Sequence, residues 1–159
     1  MTSDTPDHAR LRRAWLTLYR LNALFQSRLE EALRSRAGMS LAEHELLAVL
    51  HGAGGRLRMG DLTARLLLSK SGVTRLVAKI EEGPGWVVRV LTPEDRRATW
   101  AELTPSGEEA FQRSDPVFRE TLVVLFGDHL RPAELDRVVA GMEHLVNANE
   151  WMTFPPPRR

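Results

Sequence analysis

Apolar residues recur along most of this chain at steps of three and four, the period of helices with one buried face. The first such stretch runs from Ala9 to about Arg36, with Leu11, Trp15, Leu18, Asn22, Phe25, Leu29 and Ala32 as its stripe. Ala14, Leu21, Leu24 and Leu33 widen that stripe, and Gly38 ends it. So wide a face exceeds what one neighbouring helix covers, so part of it is expected to meet a second chain. The alternative is the central helix of a monomeric bundle. Ser40 and Glu43 form a capping box for a second helix, Leu41 to His51, which Gly52-Ala53-Gly54-Gly55 breaks.

A third helix is expected over Met59 to Leu67, with Leu62 and Leu66 inside and Asp61 in its first turn, where the dipole favours an anion. Ser69 caps a fourth, Lys70 to Glu82. These two have the proportions of a helix-turn-helix. In the fourth, Val73, Leu76, Val77 and Ile80 make one buried stripe, leaving Ser71, Thr74, Arg75, Ala78 and Lys79 outside. A face of small hydroxyl residues with Arg and Lys suits a DNA major groove, where basic groups reach phosphates and base edges. It equally describes a solvated helix face.

The period then changes from helix to strand. Trp86 to Leu91 is a β-branched run, Thr92-Pro93-Glu94-Asp95 reads as a turn, and Ala98 to Leu103 returns as a second strand. Thr104-Pro105 opens a fifth helix running to about Phe126, which Pro116 is expected to kink or break. Pro132 opens a sixth, with Leu135, Val138, Val139, Met142, Leu145 and Val146 on one stripe.

At 159 residues the chain suits one domain, or one domain with an oligomerisation extension. It has no Cys, which excludes disulfides, thiolate metal sites and cysteine redox switches. Neither an apolar signal region nor a membrane-length apolar run is present, so a cytoplasmic protein with no membrane partner is expected. The net charge of +1 hides an uneven distribution: residues 56–100 hold nine basic and five acidic side chains, residues 104–157 four basic and nine acidic. Only the middle is suited to a polyanion.

For enzyme chemistry the chain offers little. There is no GxSxG, P-loop, GxGxxG or HExxH, so no catalytic residue and no cofactor is expected. His44 and His51 stand two helical turns apart, too far to chelate one ion alone, and His129 and His144 lie in the acidic C-terminal part. A metal-dependent or hydrolytic enzyme is one alternative to a DNA-binding protein. A helical interaction protein with no DNA role is another.

Ser69-Lys70-Ser71-Gly72-Val73-Thr74-Arg75-Leu76-Val77, Ile80-Glu81, Gly85-Trp86-Val87, Arg89, Asp95-Arg96-Arg97 and Leu103-Thr104-Pro105-Ser106-Gly107 occur in order and at fixed distances. In this the chain resembles the MarR family of winged helix-turn-helix regulators. The resemblance implies a mainly α fold, with residues 40–103 as the DNA-binding lobe and 9–36 and 104–150 as a helical dimerisation region. Residues 1–8 and 152–159 are read as flexible tails. It also implies a homodimer, most commonly a repressor, on a near-palindromic double-stranded DNA site. Glu82-Gly83-Pro84-Gly85 departs from the family pattern by one added residue, which is expected to shift the wing relative to the helix.

On this reading Lys70, Ser71, Thr74, Arg75 and Lys79 line the major groove, with Arg75 the candidate for guanine, while Ser69 and the first helical N–H groups hold a phosphate. The resemblance assigns Arg97 to the minor groove, Asp95 to holding it and Arg96 to the DNA backbone. An incidental ion pair in a solvated turn is the plain alternative for those three. The resemblance further implies a small aromatic acid or phenolic effector. Arg12, Trp15 and Tyr19, at i, i+3 and i+7, are candidates to hold it, joined by His44, the alternative being ordinary packing. Arg97→Ala is expected to weaken DNA binding and to flatten its salt dependence. An unchanged slope in a salt titration would remove Arg97 from the interface.

Overall fold

The computed structural model describes residues 7–92 and 95–149, with side chains described for 7–91 and 99–149. The order is α1 (His8–Ala37), α2 (Leu41–Gly52), β1 (Arg56–Arg58), α3 (Met59–Arg65), α4 (Lys70–Glu82), β2 (Val87–Thr92), β3 (Asp95–Leu103), α5 (Pro105–Leu122), a π-helical turn (Val123–Gly127) and α6 (Pro132–Ala148). Helices dominate, with one small antiparallel sheet in the order β1-β3-β2, the architecture of a winged helix-turn-helix flanked by long terminal helices.

The core belongs to the middle of the chain. Leu46, Leu47 and Leu50 of α2, Leu62 and Leu66 around α3, and Val73, Val77 and Ile80 of α4 lose nearly all contact with solvent. Leu57, Val87 and Ala101 of the sheet close the cluster, and Ala110 brings α5 onto it. Two of these helices, α2 and α4, have a capped start: Ser40 and Glu43 make both bonds of a capping box, and Ser69 Oγ accepts from Gly72 N at 3.1 Å.

One sequence expectation is corrected here, and half of another, the break at Pro116. The ribbon expected from the sequence is a three-stranded sheet, because Arg56–Arg58 pairs along β3, with Arg56 opposite Glu102 and Arg58 opposite Trp100. Pro116 neither breaks nor ends α5, which continues to Leu122. Proline removes one N–H, and both Pro116 and Gln112, whose carbonyl that N–H would have met, lie on the exposed side. Ala110, Ser114 and Val117, on the other side, are buried and hold the helix together. The irregularity falls instead at Val123–Gly127, where Phe126 meets Phe25 of α1 edge to face at 4.8 Å.

The terminal helices are largely uncovered. Only Leu29 and Leu33 of α1 are buried, and Leu11, Trp15, Leu18, Leu21 and Leu24 are exposed. No residue of α6 is buried, and Val138, Val139, Met142, Leu145 and Val146 are all open.

Gly107, in the first turn of α5, is where the wing side and the helical side touch most tightly. A Cβ there would lie 2.0 Å from the Trp86 carbonyl oxygen and 2.9 Å from Leu103 Cδ1. Gly107→Ala is therefore expected to destabilise the fold by about 2–3 kcal/mol, read by denaturant unfolding. A loss within about 0.5 kcal/mol, the range of ordinary surface changes, would contradict this packing.

Candidate nucleic-acid interface

Burial of Val73, Val77 and Ile80 turns the opposite side of α4 outward, and Ser71, Thr74, Arg75 and Lys79 are all exposed there. At the N-terminus Ser69 Oγ also meets Ser71 Oγ at 3.1 Å, and Thr74 Oγ1 donates back to the Lys70 carbonyl at 2.9 Å. Gly72 keeps that end slim: a Cβ there would sit 3.2 Å from Ser69 Oγ. The backbone can thus approach a ligand closely at the positive end of the helix dipole.

The cations around α4 fall into two groups. Arg65, Lys70 and Arg75 are exposed and have no ion-pair partner among the described residues. The others are engaged. Arg89 of β2 gives both its backbone N–H and its Nε to Glu81, at 2.7 and 2.6 Å. The bond from that N–H is the main reason the Glu81 carboxyl lies below its ordinary pKa, against a smaller rise from burial. Lys79 Nζ meets Glu43 Oε1 of α2 at 2.9 Å. In the sheet Arg56 pairs with Glu102 at 2.9 Å, and the guanidinium groups of Arg56 and Arg58 stack over Trp100 at 4.4 and 5.2 Å.

The wing is therefore fastened to α4 through Glu81 and Arg89. The added residue at Gly83-Pro84-Gly85 is absorbed in closing the helix: Gly83 N donates to Lys79 O at 3.0 Å, and Gly85 N donates to Ile80 O at 2.8 Å with φ of 69°. The Gly85 carbonyl in turn accepts from Thr104 Oγ1 at 2.8 Å. These bonds hold the joint between helix and wing. The side chains of Asp95, Arg96 and Arg97 lie outside the described residues, although their backbone opens β3.

A family model described as the MarR family matches residues 37–98. The uncharacterised HTH-type transcriptional regulator YkoM of Bacillus subtilis (strain 168) is 30% identical over 127 residues, covering 78% of this chain and 80% of that one. This chain belongs to the MarR family of transcriptional regulators. A MarR family regulator from Streptomyces coelicolor, solved in complex with DNA, is 27% identical with a TM-score of 0.82, over 97% of this chain and 96% of that one. AbsC, also a MarR family regulator from Streptomyces coelicolor, is 26% identical with a TM-score of 0.81, over 93% and 99%. This MarR protein is accordingly a winged-helix, DNA-binding transcriptional regulator and not an enzyme. No helix among its described residues is long and apolar enough to cross a membrane.

Of the four residues expected to hold an effector, three lie on α1 and His44 on α2. Trp15 and Tyr19 lie side by side on α1 with ring centroids 6.2 Å apart, both more than 60% exposed. Arg12 lines a surface groove of about 410 Å³ made by α1 alone, which neither ring nor His44 enters. His44 is elsewhere. It is 2% exposed, its Nδ1 is 2.8 Å from Ser114 Oγ of α5, and its ring stacks on Phe118 and Phe111 at 4.6 and 5.9 Å. The neighbouring Leu41 N bonds to Glu30, which at 1.5 Å per residue lies about 20 Å along α1 from Trp15. Within one chain His44 is therefore remote from Trp15 and Tyr19, because α2 meets α1 at its far end.

His51 also packs on Phe111, at 4.4 Å, and its Nδ1 pairs with Glu108 at 2.9 Å, so both histidines of α2 serve the α2–α5 seam. No group of three or more His, Asp or Glu among the described residues converges to hold a metal ion. Sequence reasoning missed Arg65 as a member of the cationic face and Glu43 and Glu81 as the groups that hold Lys79 and the wing. For Arg65 a signal existed, one turn before the Ser69 cap. The two carboxylates pair across tertiary contacts and left none.

Burial lowers the pKa of His44 from 6.5, with Asp115 opposing it. The unfolded chain therefore binds the proton more readily, and stability is full above pH 6.5 and declines as pH falls toward the lowered value. Unfolding free energies measured across that window are expected to lose this dependence in His44→Phe. A variant with the wild-type pH profile would contradict a neutral, buried His44.

Proposed function

We propose that this MarR regulator acts as a homodimer that reads a near-palindromic duplex site with α4 in successive major grooves and the wing beside the minor groove. The observation that carries the DNA reading is the outer side of α4, where Lys70 and Arg75, with Arg65 beside them, stand exposed and unpaired among the described residues while the other described cations on the lobe have partners. Arg75 in mid-helix suits a bidentate contact to guanine, and Lys70 with the Ser69-capped N-terminus suits a phosphate.

The dimer reading rests on the two bare apolar stripes. Trp15, Leu18, Leu21 and Leu24 of α1 and Val139, Met142, Leu145 and Val146 of α6 make too much open apolar surface for a lone chain. A groove of about 1000 Å³ between α1, the π-helical turn and α6, lined by Leu21, Leu24, Phe25, Val124 and Val138 among others, continues the same surface. A second copy that covers it gives two recognition helices about 34 Å apart, one turn of duplex. A dimer seated over a promoter excludes polymerase, so repression is the sign we assign.

A gel shift on the duplex upstream of the protein's own gene tests both parts. Wild-type protein is expected to run at twice the chain mass and to bind that duplex, and Arg75→Ala to lose about 1–3 kcal/mol of binding to it. Leu145→Asp paired with Val146→Asp is expected to give a folded monomer with weak binding. Equal binding by Arg75→Ala would displace α4 from the groove, and an intact dimer in the double aspartate variant would displace α6 from the interface.

A further inference from the structure

Three elements meet at the N-terminus of α2. Ser40 Oγ accepts from Glu43 N at 3.2 Å, and Glu43 Oε2 accepts from Ser40 N at 2.7 Å. The next N–H, that of Leu41, donates to Glu30 Oε2 of α1 at 2.7 Å. The remaining oxygen of Glu43, Oε1, meets Lys79 Nζ of α4 at 2.9 Å. Its side chain is 10% exposed and that of Lys79 65%, so the carboxylate is fixed in the fold and the lysine reaches back to it from the surface.

A carboxylate so far out of water is stable only while its oxygens are hydrogen-bonded and its charge is matched. The capping bond engages one oxygen. Lys79 supplies the charge, and nothing else among the described residues pairs with Glu43 as a cation. Swinging Lys79 out to a phosphate would leave Glu43 buried and uncompensated. Binding to DNA would then carry that cost, and the contact would gain little.

We infer that Lys79 is a positioning residue, not a phosphate contact: Glu43 holds its ammonium, fixes the C-terminal half of α4 against α2, and withholds one cation from DNA. This rests on the reading of α4 as the recognition helix. It divides the outer face in two. The N-terminal half, with Lys70 and Arg75, meets the duplex, and the C-terminal half sets the angle at which it does so. The same carboxylate limits non-specific binding, since one positive charge beside the groove is already matched. Through Glu30 and Leu41 the tether is continuous with α1, so the aim of the helix is referred to the long helix of the fold.

The test uses the full-length protein and a random-sequence duplex, on which binding is governed by the number of phosphates neutralised, each contributing about 0.9 to the slope of log K against log salt. Lys79→Met is expected to leave that slope unchanged while lowering affinity for the upstream duplex, and Lys79→Arg, which can still reach Glu43, to restore it. Glu43→Gln keeps the capping box, because glutamine serves at that position as glutamate does. It should free Lys79 and steepen the slope by about 0.9, and adding Lys79→Met should cancel the increment. A slope flattened by about 0.9 in Lys79→Met alone overturns the inference, as does an unchanged slope in a folded Glu43→Gln protein. Lys70→Ala in the same series separates the two levels: if it flattens the slope while the Glu43 and Lys79 variants fail, only the tether falls. If it changes nothing, the reading of α4 falls with it.

Discussion

Complete burial of Val73, Val77 and Ile80 is the constraint on which the rest depends. It leaves α4 one rotation about its axis, and that rotation turns Ser71, Thr74 and Arg75 outward. Hydrophobic packing is non-directional, yet a stripe at helical spacing makes it choose a face. The polar contacts then refine what packing has chosen. Ser69 closes one end of the helix, Gly83 and Gly85 the other, and Glu81 ties its flank to Arg89 of the wing. α4 and the wing are thus joined as one piece, through the Glu81–Arg89 tie and the bonds that close the helix.

That piece is joined to the long helices at a few specific points. The N-terminus of α2 is bound by Glu30 of α1, His44 is held between Phe111 and Phe118 of α5, and Gly107 lets α5 approach the Trp86 carbonyl. Arg36 and Glu120 add an ion pair across α1 and α5 at 2.6 Å, exposed and worth little by itself. The buried contacts therefore carry the geometry between the helical region and the lobe. A change in the spacing of two paired copies would reach α4 through them.

Much of this was legible in the sequence, and the reason differs by element. The α4 boundaries, Lys70 to Glu82, follow from a serine cap and a glycine stop around a strong helical stripe, all local signals. The β1 strand did not show, since it is three residues long with one apolar side chain and exists only because β3, more than forty residues later, pairs with it. Pro116 does not break α5, because burial of Ser114 and Val117 on the opposite side outweighs the one lost N–H. His44 was expected beside Trp15 because both read as candidates on neighbouring helices. Which end of α1 meets α2 is a tertiary fact that spacing along one helix does not contain. The same holds for Lys79, which reads as a free cation until the fold sets Glu43 beside it.

The central claim is that two copies of α4 enter successive major grooves of one duplex. Methylation protection of guanine N7 on the upstream duplex measures this most directly, because N7 lies only in the major groove. The account predicts two protected clusters on one face of the DNA, centred about 10 base pairs or a multiple of that apart. A single cluster, or protection confined to adenine N3 in the minor groove, would contradict it.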